Sequence, residues 1–520
     1  MKFKWILALT LTFSAAAGIA SESSYSPGGW PTLHHDPGNR RAVNAQVLGR
    51  RYSSWNALQG ASVLTAPVTS PDGQQIYATT ALPSGNSNLH AFSIDGELLW
   101  QSSPWSDAFN GIDPCAFLSS PIVDRGGDIY ISDCNQLFAF KPDGSEKWTI
   151  PLPAPREDDW KAAGDHPVNA FTTAAFTADG KLLGVTNFGD VLIVDRATGA
   201  VLNQAYRLPS LLSPYSRTVE LPDSLLANGL MDIQFKEWAW QLIFGGSMRS
   251  ANTPAVSKSN RVFVVGSSQR EGIGALFGLD ITGQEGQLQI QEAFITEIGI
   301  GSGSSPALSP GEHQVYVSDE EGWFYCLSTD SGEILWKVKT TAAAGAAGVG
   351  PDGTVYALQQ SGSAVVAIRP DGEILWHSDT SSLNADLPAS VLFGDPVQAA
   401  NGNPTITSDA VVVPIITGYA LPFTVASIPV SSHVVALDLE TGKLVEKVIT
   451  LIDDSSGITG VLPNGSLVNS LGAVMTSAMA PLKPLVDLLL PGNIEMLATT
   501  AGIQVSLPEP QVNPISSTKP

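Results

Sequence analysis

Residues 304–336 read SSPALSPGEHQVYVSDEEGWFYCLSTDSGEILW. Four short runs rich in β-branched and aromatic residues alternate here with turn residues such as Ser331-Gly332. This spacing is typical of a four-stranded antiparallel sheet, the unit that forms one blade of a β-propeller. A single blade cannot bury both of its faces, so the sequence should contain further copies.

Copies of the opening strand and its turn recur along the whole chain. Each copy has a short run of small, apolar or proline residues, and a turn with glycine, asparagine or aspartate follows it. Eight such openings are present, and they contain Pro67, Pro121, Ala174, Pro254, Pro306, Gly348, Pro404 and Gly460. Eight copies predict an all-β fold: an eight-bladed β-propeller of four-stranded antiparallel blades, with short helical insertions.

The end of the repeat carries a tryptophan four residues after a glycine, as in Asp-Gly-Glu-Leu-Leu-Trp at 95–100. The glycine suits the positive φ of a tight hairpin turn. The tryptophan can lie flat between neighbouring sheets and bury a large area. The predicted structural docking residues are Trp100, Trp148, Trp336 and Trp376, and degenerate copies hold Asn203, Gln287 and Glu446 instead.

These motifs together resemble the pyrroloquinoline-quinone (PQQ) repeat, the tryptophan-docked blade of quinoprotein dehydrogenases. The same repeat forms the cofactor-free propeller of the outer-membrane barrel-assembly machinery. The segment from Gly29-Trp30-Pro31 to Arg40 is similar to the segment that leads into such propellers. The resemblance covers most of residues 29–508. It implies the fold and leaves the activity open.

The first twenty residues have the pattern of a secretory signal peptide. Lys2 and Lys4 precede an apolar run, and Gly18-Ile19-Ala20 offers a cleavage site before Ser21. The alternative is a retained membrane anchor, but the apolar run is shorter than the ~20 residues that a span needs. The pattern therefore predicts a secreted or periplasmic protein.

A second uncharged stretch, residues 410–432, also has the hydropathy of a membrane span. It contains four prolines or glycines between β-branched clusters, which favours two buried strands with a proline-rich connection. We therefore expect no transmembrane span in the mature chain. The expected layout is a signal peptide (1–20), an N-terminal arm (21–60), the propeller (61–508) with helical insertions near 220–245 and 480–490, and a disordered tail (509–520).

Two points of this layout concern how the ring closes. A strand near residues 51–55 either helps to close the ring or belongs to a plain surface arm. The last strands of blade eight are expected at 494–500 and 503–507.

The charge balance excludes one class of partner. Without the signal peptide the chain has 25 basic and 49 acidic residues, a net charge of −24. Nucleic-acid binding depends on neutralising phosphates, so this balance argues against it. The partner is expected to be a protein or a small molecule.

A ligand or partner is expected on one face of the propeller. Within each blade the first-to-second and third-to-fourth strand connections are expected as tight turns on one face, whereas the long connections between blades lie on the other face. The long connections are predicted at 102–116, 151–170, 207–250, 377–402 and 448–457.

The family resemblance implies what a dehydrogenase would need: PQQ, a Ca²⁺ held by oxygen ligands, a catalytic aspartate and cationic donors. Candidates on the predicted face are Asp113, Asp165, His166 and Asp395 for catalysis and Asn169, Arg249 and Asn252 for the cofactor. None of them forms a spaced signature, and the alternative is that each is an ordinary loop residue. The chain also has no adjacent cysteine pair, no Cys-x-x-Cys-His, and no His-based metal motif.

Two functional hypotheses follow. The first is a binding or interaction scaffold in the periplasm or outside the cell. The alternative is a diverged PQQ- and Ca²⁺-dependent dehydrogenase that oxidises an alcohol or sugar, and only this alternative implies a cofactor. A hydrolase or lyase on the same scaffold is a further possibility.

The three cysteines give a structural hypothesis. Cys115 and Cys134 flank one predicted hairpin, where they fall nearly opposite each other, whereas Cys326 lies in an apolar strand. In an exported protein we expect Cys115 and Cys134 to form a disulfide, with two free thiols as the alternative, and Cys326 to be a buried small hydrophobe.

Thiol titration of the unreduced mature protein tests this pairing. We expect one free thiol per chain, because only Cys326 would lack a disulfide partner. A count of three would show that Cys115 and Cys134 are not paired.

Overall fold

The computed structural model describes sixteen ranges of the chain. They are 24–61, 65–81, 87–105, 119–133, 135–159, 169–211, 249–250, 252–284, 286–301, 304–319, 321–340, 345–359, 364–400, 402–420, 427–472 and 482–510. The predicted signal peptide, the predicted helix near 220–245, Cys115, Cys134 and most of the predicted tail lie outside these ranges.

Eight antiparallel sheets follow one another around an axis, which confirms the predicted eight-bladed propeller. In blades 1 to 7 the strands run in chain order from the axis to the rim. The strands of blades 1 to 4 are β2 (Val68–Thr69), β3 (Gln75–Ala81), β4 (Ser87–Ser93) and β5 (Leu98–Gln101); β6 (Ile122–Val123), β7 (Ile129–Asp133), β8 (Gln136–Phe140) and β9 (Glu146–Pro151); β10 (Ala175–Phe176), β11 (Leu182–Val185), β12 (Asp190–Val194) and β13 (Tyr206–Arg207); β14 (Ala255–Val256), β15 (Arg261–Ser267), β16 (Ile273–Thr282) and β17 (Gln289–Ile300).

Blades 5 to 7 repeat this order, with an extra strand in blade 7, whereas blade 8 has β1 as its outermost strand. Their strands are β18 (Ala307–Leu308), β19 (Gln314–Ser318), β20 (Trp323–Ser328) and β21 (Ile334–Lys339); β22 (Gly348–Val349), β23 (Val355–Leu358), β24 (Val365–Ile368) and β25 (Ile374–His377); β26 (Pro396–Ala400), β27 (Thr405–Ile406), β28 (Val411–Ala420), β29 (Ser427–Leu437) and β30 (Leu444–Leu451); β31 (Ser455–Val461), β32 (Leu467–Leu471), β33 (Gly502–Pro508) and β1 (Tyr52–Ala57). Helical structure includes a 3-10 turn at Ser381–Asn384 and α1 at Lys483–Leu489.

The two ends of the chain meet in blade 8. Strand β1 pairs antiparallel with β33, from Tyr52 opposite Pro508 to Ala57 opposite Ile503. The N-terminal strand is therefore the outermost strand of the last blade. Residues 494–500, expected as a strand, have no strand conformation, because β1 takes the place in the sheet that this segment would have filled.

The blades contact one another through aromatic rings that lie over turn glycines. Trp100, Trp148, Trp336 and Trp376 lie over Gly144, Gly199, Gly372 and Gly442, and a Cβ on any of these glycines would lie less than 3.0 Å from the indole. Each indole N–H also donates to a backbone carbonyl of the next blade, at 2.8–3.1 Å.

Two further aromatic rings lie over turn glycines, at positions that the sequence pattern did not indicate. Trp55 of β1 lies over Gly96 and donates to the Ile94 carbonyl at 2.9 Å, so it joins blade 8 to blade 1. Phe294 lies over Gly332 and joins blade 4 to blade 5. Gln287, at the degenerate motif position, precedes β17 and is not the docking residue of blade 4.

The uncharged stretch at 410–432 contains parts of β28 and β29, which confirms two buried strands. The second predicted insertion contains α1. Within the described ranges, no helix has the length and apolar character needed to cross a membrane.

An N-terminal segment occupies the axis. Residues 25–41, called here the axial segment, run along the innermost strands, which otherwise have a free edge with unpaired backbone groups. In seven blades the second residue of this strand donates its N–H to the segment. The donors are Thr69, Val123, Phe176, Val256, Leu308, Val349 and Ile406, and the accepting oxygens belong, in the same order, to Trp30, Pro31, Tyr25, Pro37, Gly38, Arg40 and Arg41.

Side chains of the axial segment complete the ring of contacts. In blade 8 the Thr459 carbonyl accepts from Arg41 Nη2 at 3.0 Å. The Asn39 amide donates to the carbonyls of Thr253 and Pro306, in blades 4 and 5. Asn39 and Arg41 have φ angles of 57° and 53°, a left-handed conformation that non-glycine residues adopt only where their surroundings hold them.

The substitution Gly96→Ala tests the contact that closes the ring. The new Cβ would lie 2.8 Å from the Trp55 indole. The alanine would also have to adopt the φ of 96° that Gly96 has. We expect the free energy of unfolding to fall by about 2–4 kcal/mol, from the φ strain and the overpacking together. Chemical denaturation measures this change.

Gly286→Ala is the matched control. Gly286 has a φ of 84° but nothing within 4 Å of a new Cβ, so it isolates the φ strain of about 1 kcal/mol. Equal losses in the two variants would show that the Trp55 contact is not needed for stability.

A second pair of variants tests the axial segment. Asn39→Asp removes two buried N–H donors and should lower the free energy of unfolding by about 2–4 kcal/mol. Asn260 also has a left-handed φ, of 64°, but its Oδ1 accepts from Ala178 N, a role that aspartate retains. Asn260→Asp should therefore cost less than about 1 kcal/mol. Similar losses in both would refute the donor role of Asn39.

Candidate functional site

The two faces of the propeller differ in their connections. The turns from first to second strand and from third to fourth strand form the turn face. The connections between blades and the second-to-third strand turns form the loop face. The predicted long connection at 448–457 is wrong: β30 and β31 leave only 452–454 between them, because Val448, Ile449 and Leu451 are buried in the core.

An open cleft of about 430 Å³ lies on the loop face around blade 3. It is lined by Arg156, Arg207, Arg249, Gln269 and the segment 208–211. Arg156 follows the last strand of blade 2, Arg207 ends β13, and Arg249 lies before β14. Connections from three blades thus bring three guanidinium groups to one place.

Two buried aspartates orient the central arginine. Arg207 Nη1 donates to the Asp159 carboxylate at 2.8 Å, and its Nε and Nη2 form a two-pronged contact with Asp190 at 2.8 and 2.6 Å. Both carboxylates are almost fully buried. Burial acts to lower the pKa of Arg207, but the hydrogen bonds and charges of Asp190 and Asp159 outweigh it and raise the pKa. Arg207 is therefore permanently charged and held rigid.

The two other arginines form fewer hydrogen bonds with carboxylates. Arg156 approaches Asp190 at 3.3 Å while its side chain stays 56% exposed. Arg249 has no ion pair to a carboxylate among the described residues, and it donates through Nη1 to the Ser210 carbonyl. Burial, followed by the charge of Arg207, lowers the pKa of Arg249.

The cleft therefore has an excess of positive charge in an acidic protein. Three guanidinium groups are balanced by two carboxylates in this set of described residues. The Nε–H of Arg249 is buried and has no hydrogen-bond partner. A carboxylate or phosphate group of a ligand has the charge and the acceptors that this arrangement lacks.

Three of the residues proposed from the sequence lie close together beside this cleft, around Asn187. The Asn187 carbonyl accepts from Arg249 N at 2.7 Å, and the Asn187 side chain accepts from Ala170 N, next to Asn169. The backbone oxygen of Asn252 accepts from Thr172 at 2.9 Å. Asn169 and Asn252 are buried, so they support the backbone of this face, whereas Arg249 reaches the cleft.

The remaining proposed residues are elsewhere or outside the described ranges. Asp395 is exposed at the start of the extra strand β26 in blade 7, on a different connection from the arginine cleft. Asp113, Asp165 and His166 are not among the described residues. The sequence reasoning missed Arg156, Asp159, Asp190 and Arg207. Arg156 and Asp159 lie in a predicted long connection and Arg207 starts another, which was the available signal.

A family model of the PQQ repeat, described as outer membrane protein assembly factor BamB, matches residues 240–451. Europium-containing methanol dehydrogenase is similar in structure, with a TM-score of 0.53, 13% identity, and an alignment that covers 92% of this chain and 98% of that one. This propeller is PQQ-like in blades 4 to 7, which lie within the matched residues.

Two other solved structures are similar to this PQQ-like propeller. The quinohemoprotein alcohol dehydrogenase ADHIIG from Pseudomonas putida HK5 has a TM-score of 0.50 and 12% identity, over 94% of this chain and 82% of that one. BamB from Moraxella catarrhalis has a TM-score of 0.48 and 16% identity, over 89% and 100%. No curated protein matches the chain in sequence. At these identities the structural likeness shows the fold alone.

The described residues do not fit a PQQ–Ca²⁺ centre. Ca²⁺ takes six to eight oxygen ligands, usually with several carboxylates. No three acidic, histidine or cysteine side chains of the described ranges converge to hold a metal ion. The two carboxylates near the proposed residues, Asp159 and Asp190, are bound to Arg207.

The loop face of the PQQ-like propeller also carries exposed apolar side chains. Val391 and Leu392 lie in the connection before blade 7, and Leu485 and Leu488 lie on α1, between the second and third strands of blade 8. Both groups border one buried cluster, which contains Val486 and packs against Phe393. Grouped exposed apolar residues are typical of interaction surfaces.

Proposed function

We propose that this PQQ-like propeller is an exported binding scaffold, which takes an anionic group of a small ligand or a partner protein in the arginine cleft. The observation that carries the proposal is the Arg249 guanidinium beside the rigid Arg207, since Arg249 forms no ion pair with any described carboxylate. A guanidinium can donate two parallel hydrogen bonds to two oxygens of a carboxylate or phosphate, and each charge-assisted hydrogen bond contributes about 1.5–3 kcal/mol.

The rigidity of the surroundings supports a binding role. Arg207 is fixed by two buried aspartates, so little conformational entropy is lost when a ligand binds there. The blades below it are fixed to the axis by the axial segment. Loop residues that a rigid scaffold positions are a common basis for recognition.

The rest of the loop face supports a protein as one form of the partner. The exposed apolar residues around Val391 and Leu488 offer area to bury on the same face as the cleft. The matched family model is described as an assembly factor, a role that depends on binding other proteins. The predicted signal peptide supports the periplasm or the exterior as the location, and the net charge of −22 for the whole chain supports a partner other than nucleic acid.

Calorimetric titration of the purified chain with inorganic phosphate and with succinate tests the cleft. We expect saturable binding of at least one of these probes, and about tenfold weaker binding in Arg249→Met and in Arg156→Met, because each variant loses one charged donor. Arg156 is more than half exposed, so its substitution should not impair folding.

Arg369→Met is the matched control for charge. Arg369 lies on the turn face and pairs with Glu373 at 2.6 Å, so its substitution should leave the affinity unchanged. Equal binding by the wild type and the two cleft variants would overturn the proposal. Saturable PQQ binding with Ca²⁺, together with dye-linked oxidation of an alcohol, would favour the dehydrogenase instead.

A further inference from the structure

The axial segment contains a group of buried polar atoms that have no hydrogen-bond partner in the described part of the chain. They are Trp30 Nε1, Thr32 Oγ1, His34 Nε2 and both ring nitrogens of His35. Trp30, Thr32 and His34 are at least 98% buried. Buried polar groups are nearly always hydrogen-bonded, so four such side chains within six residues indicate something that accepts or bridges their hydrogen bonds.

The side chains of Trp30, His34 and His35 form a cluster with Arg41, and Thr32 belongs to the same turn, because its carbonyl accepts from His35 N at 3.2 Å. The Trp30 and His35 rings are 4.8 Å apart, and the Arg41 guanidinium carbon lies 5.4 Å from the centre of the Trp30 ring. Arg41 Nη1 lies 3.5 Å from His34 Nδ1. The cluster is at the axis, because the same segment contacts the innermost strands of all eight blades.

The charge of Arg41 is not compensated by any carboxylate hydrogen bond among the described residues. Its guanidinium is fully buried and donates to the carbonyls of Leu33, Pro404 and Thr459 and to the Thr405 hydroxyl. The nearby carboxylate of Asp36 forms an ion pair with Arg40 at 2.8 Å. A buried charge without a counter-charge is strongly unfavourable.

Each of the four unpartnered side chains can act as a donor through at least one atom. The indole of Trp30 can only donate, and the Thr32 hydroxyl can rotate to donate. Since Arg41 only donates, His34 Nδ1 must be the acceptor of their contact, which places the hydrogen of the neutral ring on Nε2. His35 has a hydrogen on at least one of its ring nitrogens. Donors around a buried cation select an anion and disfavour a metal ion.

We propose that the axial cluster of Trp30, Thr32, His34, His35 and Arg41 binds a small monovalent anion of the chloride class. The anion accepts hydrogen bonds from the four unpartnered side chains and neutralises the charge of Arg41 through space. It thereby stabilises the segment that joins the eight blades. The ligand is structural, and its site is separate from the arginine cleft on the loop face.

The protonation behaviour of the cluster agrees with this assignment. Burial, followed by the charge of Arg41, lowers the pKa of His34 well below its ordinary value. Burial also lowers the pKa of His35, with Asp36 opposing and Arg41 and Arg40 adding to the effect. Burial lowers the pKa of Arg41 to about 9. Burial is the main cause of each of these shifts, and an anion bound beside Arg41 would oppose them by favouring the positively charged forms.

Two measurements on the purified chain test the proposal. The first replaces sodium gluconate by sodium chloride at constant ionic strength. The unfolding temperature should rise, because the anion binds only the folded state. Above the dissociation constant the rise should be proportional to the logarithm of the chloride concentration. Crystals grown with sodium bromide should show an anomalous peak within hydrogen-bond distance of Trp30 Nε1 or His34 Nε2.

A matched pair of variants assigns the effect to this cluster. Thr32 and Thr80 are both buried, and both have a hydroxyl without a partner, but Thr80 lies in β3, outside the axial segment. Thr32→Val should weaken chloride binding about tenfold by removing one donor, whereas Thr80→Val should leave it unchanged.

The outcomes separate an anion from water. No bromide peak at the cluster, together with an unfolding temperature that does not depend on chloride, would overturn the proposal and leave water as the bridging molecule. A chloride effect that Thr32→Val and Thr80→Val alter equally would also overturn it, because the ion would then bind elsewhere.

Discussion

The free inner edge of the blades is the constraint on which this structure depends. Eight sheets around an axis direct a row of backbone N–H groups inwards, and each must find a partner. The axial segment supplies acceptors at the same strand position in seven blades, and Arg41 binds the eighth. One stretch of chain thereby fixes the blades to a common centre. The left-handed conformations of Asn39 and Arg41 persist because contacts from several blades hold them.

The axial segment and the arginine cleft lie on different parts of the propeller. The axial segment runs along the innermost strands near the turn face, where Ser26 donates to the Pro71 carbonyl. The loop face has the longer connections, and it is there that Arg156, Arg207 and Arg249 converge from three blades. The buried Asp159 and Asp190 lie deeper and fix Arg207. Positive charge is thus concentrated locally in a protein with a net charge of −22.

The blade count, the turns and the four tryptophans could be predicted because each is encoded within about 35 residues of chain. Prediction failed where the docking ring lacked the glycine-to-tryptophan spacing of the repeat. Trp55 docks on Gly96, 41 residues later, but Arg51 stands four residues before Trp55 where the motif has glycine, because β1 belongs to the last blade and precedes the first. Phe294 was missed because β17 has twelve residues and two irregularities in its pairing with β16, which shift its docking position away from Gln287.

The candidate site shows the same division. Arg249 was identified from its place in a long connection, whereas its neighbours Arg156 and Arg207 were not, since no local pattern distinguishes a cleft arginine from an ordinary surface one. The sequence by itself determined the repeat, the number of blades and the face that carries the long connections, because hydrophobic period and turn chemistry act over short distances. Only the tertiary structure decided how the ring closes, what fills its axis and which charges meet, because these depend on residues up to 418 positions apart, such as Arg41 and Thr459.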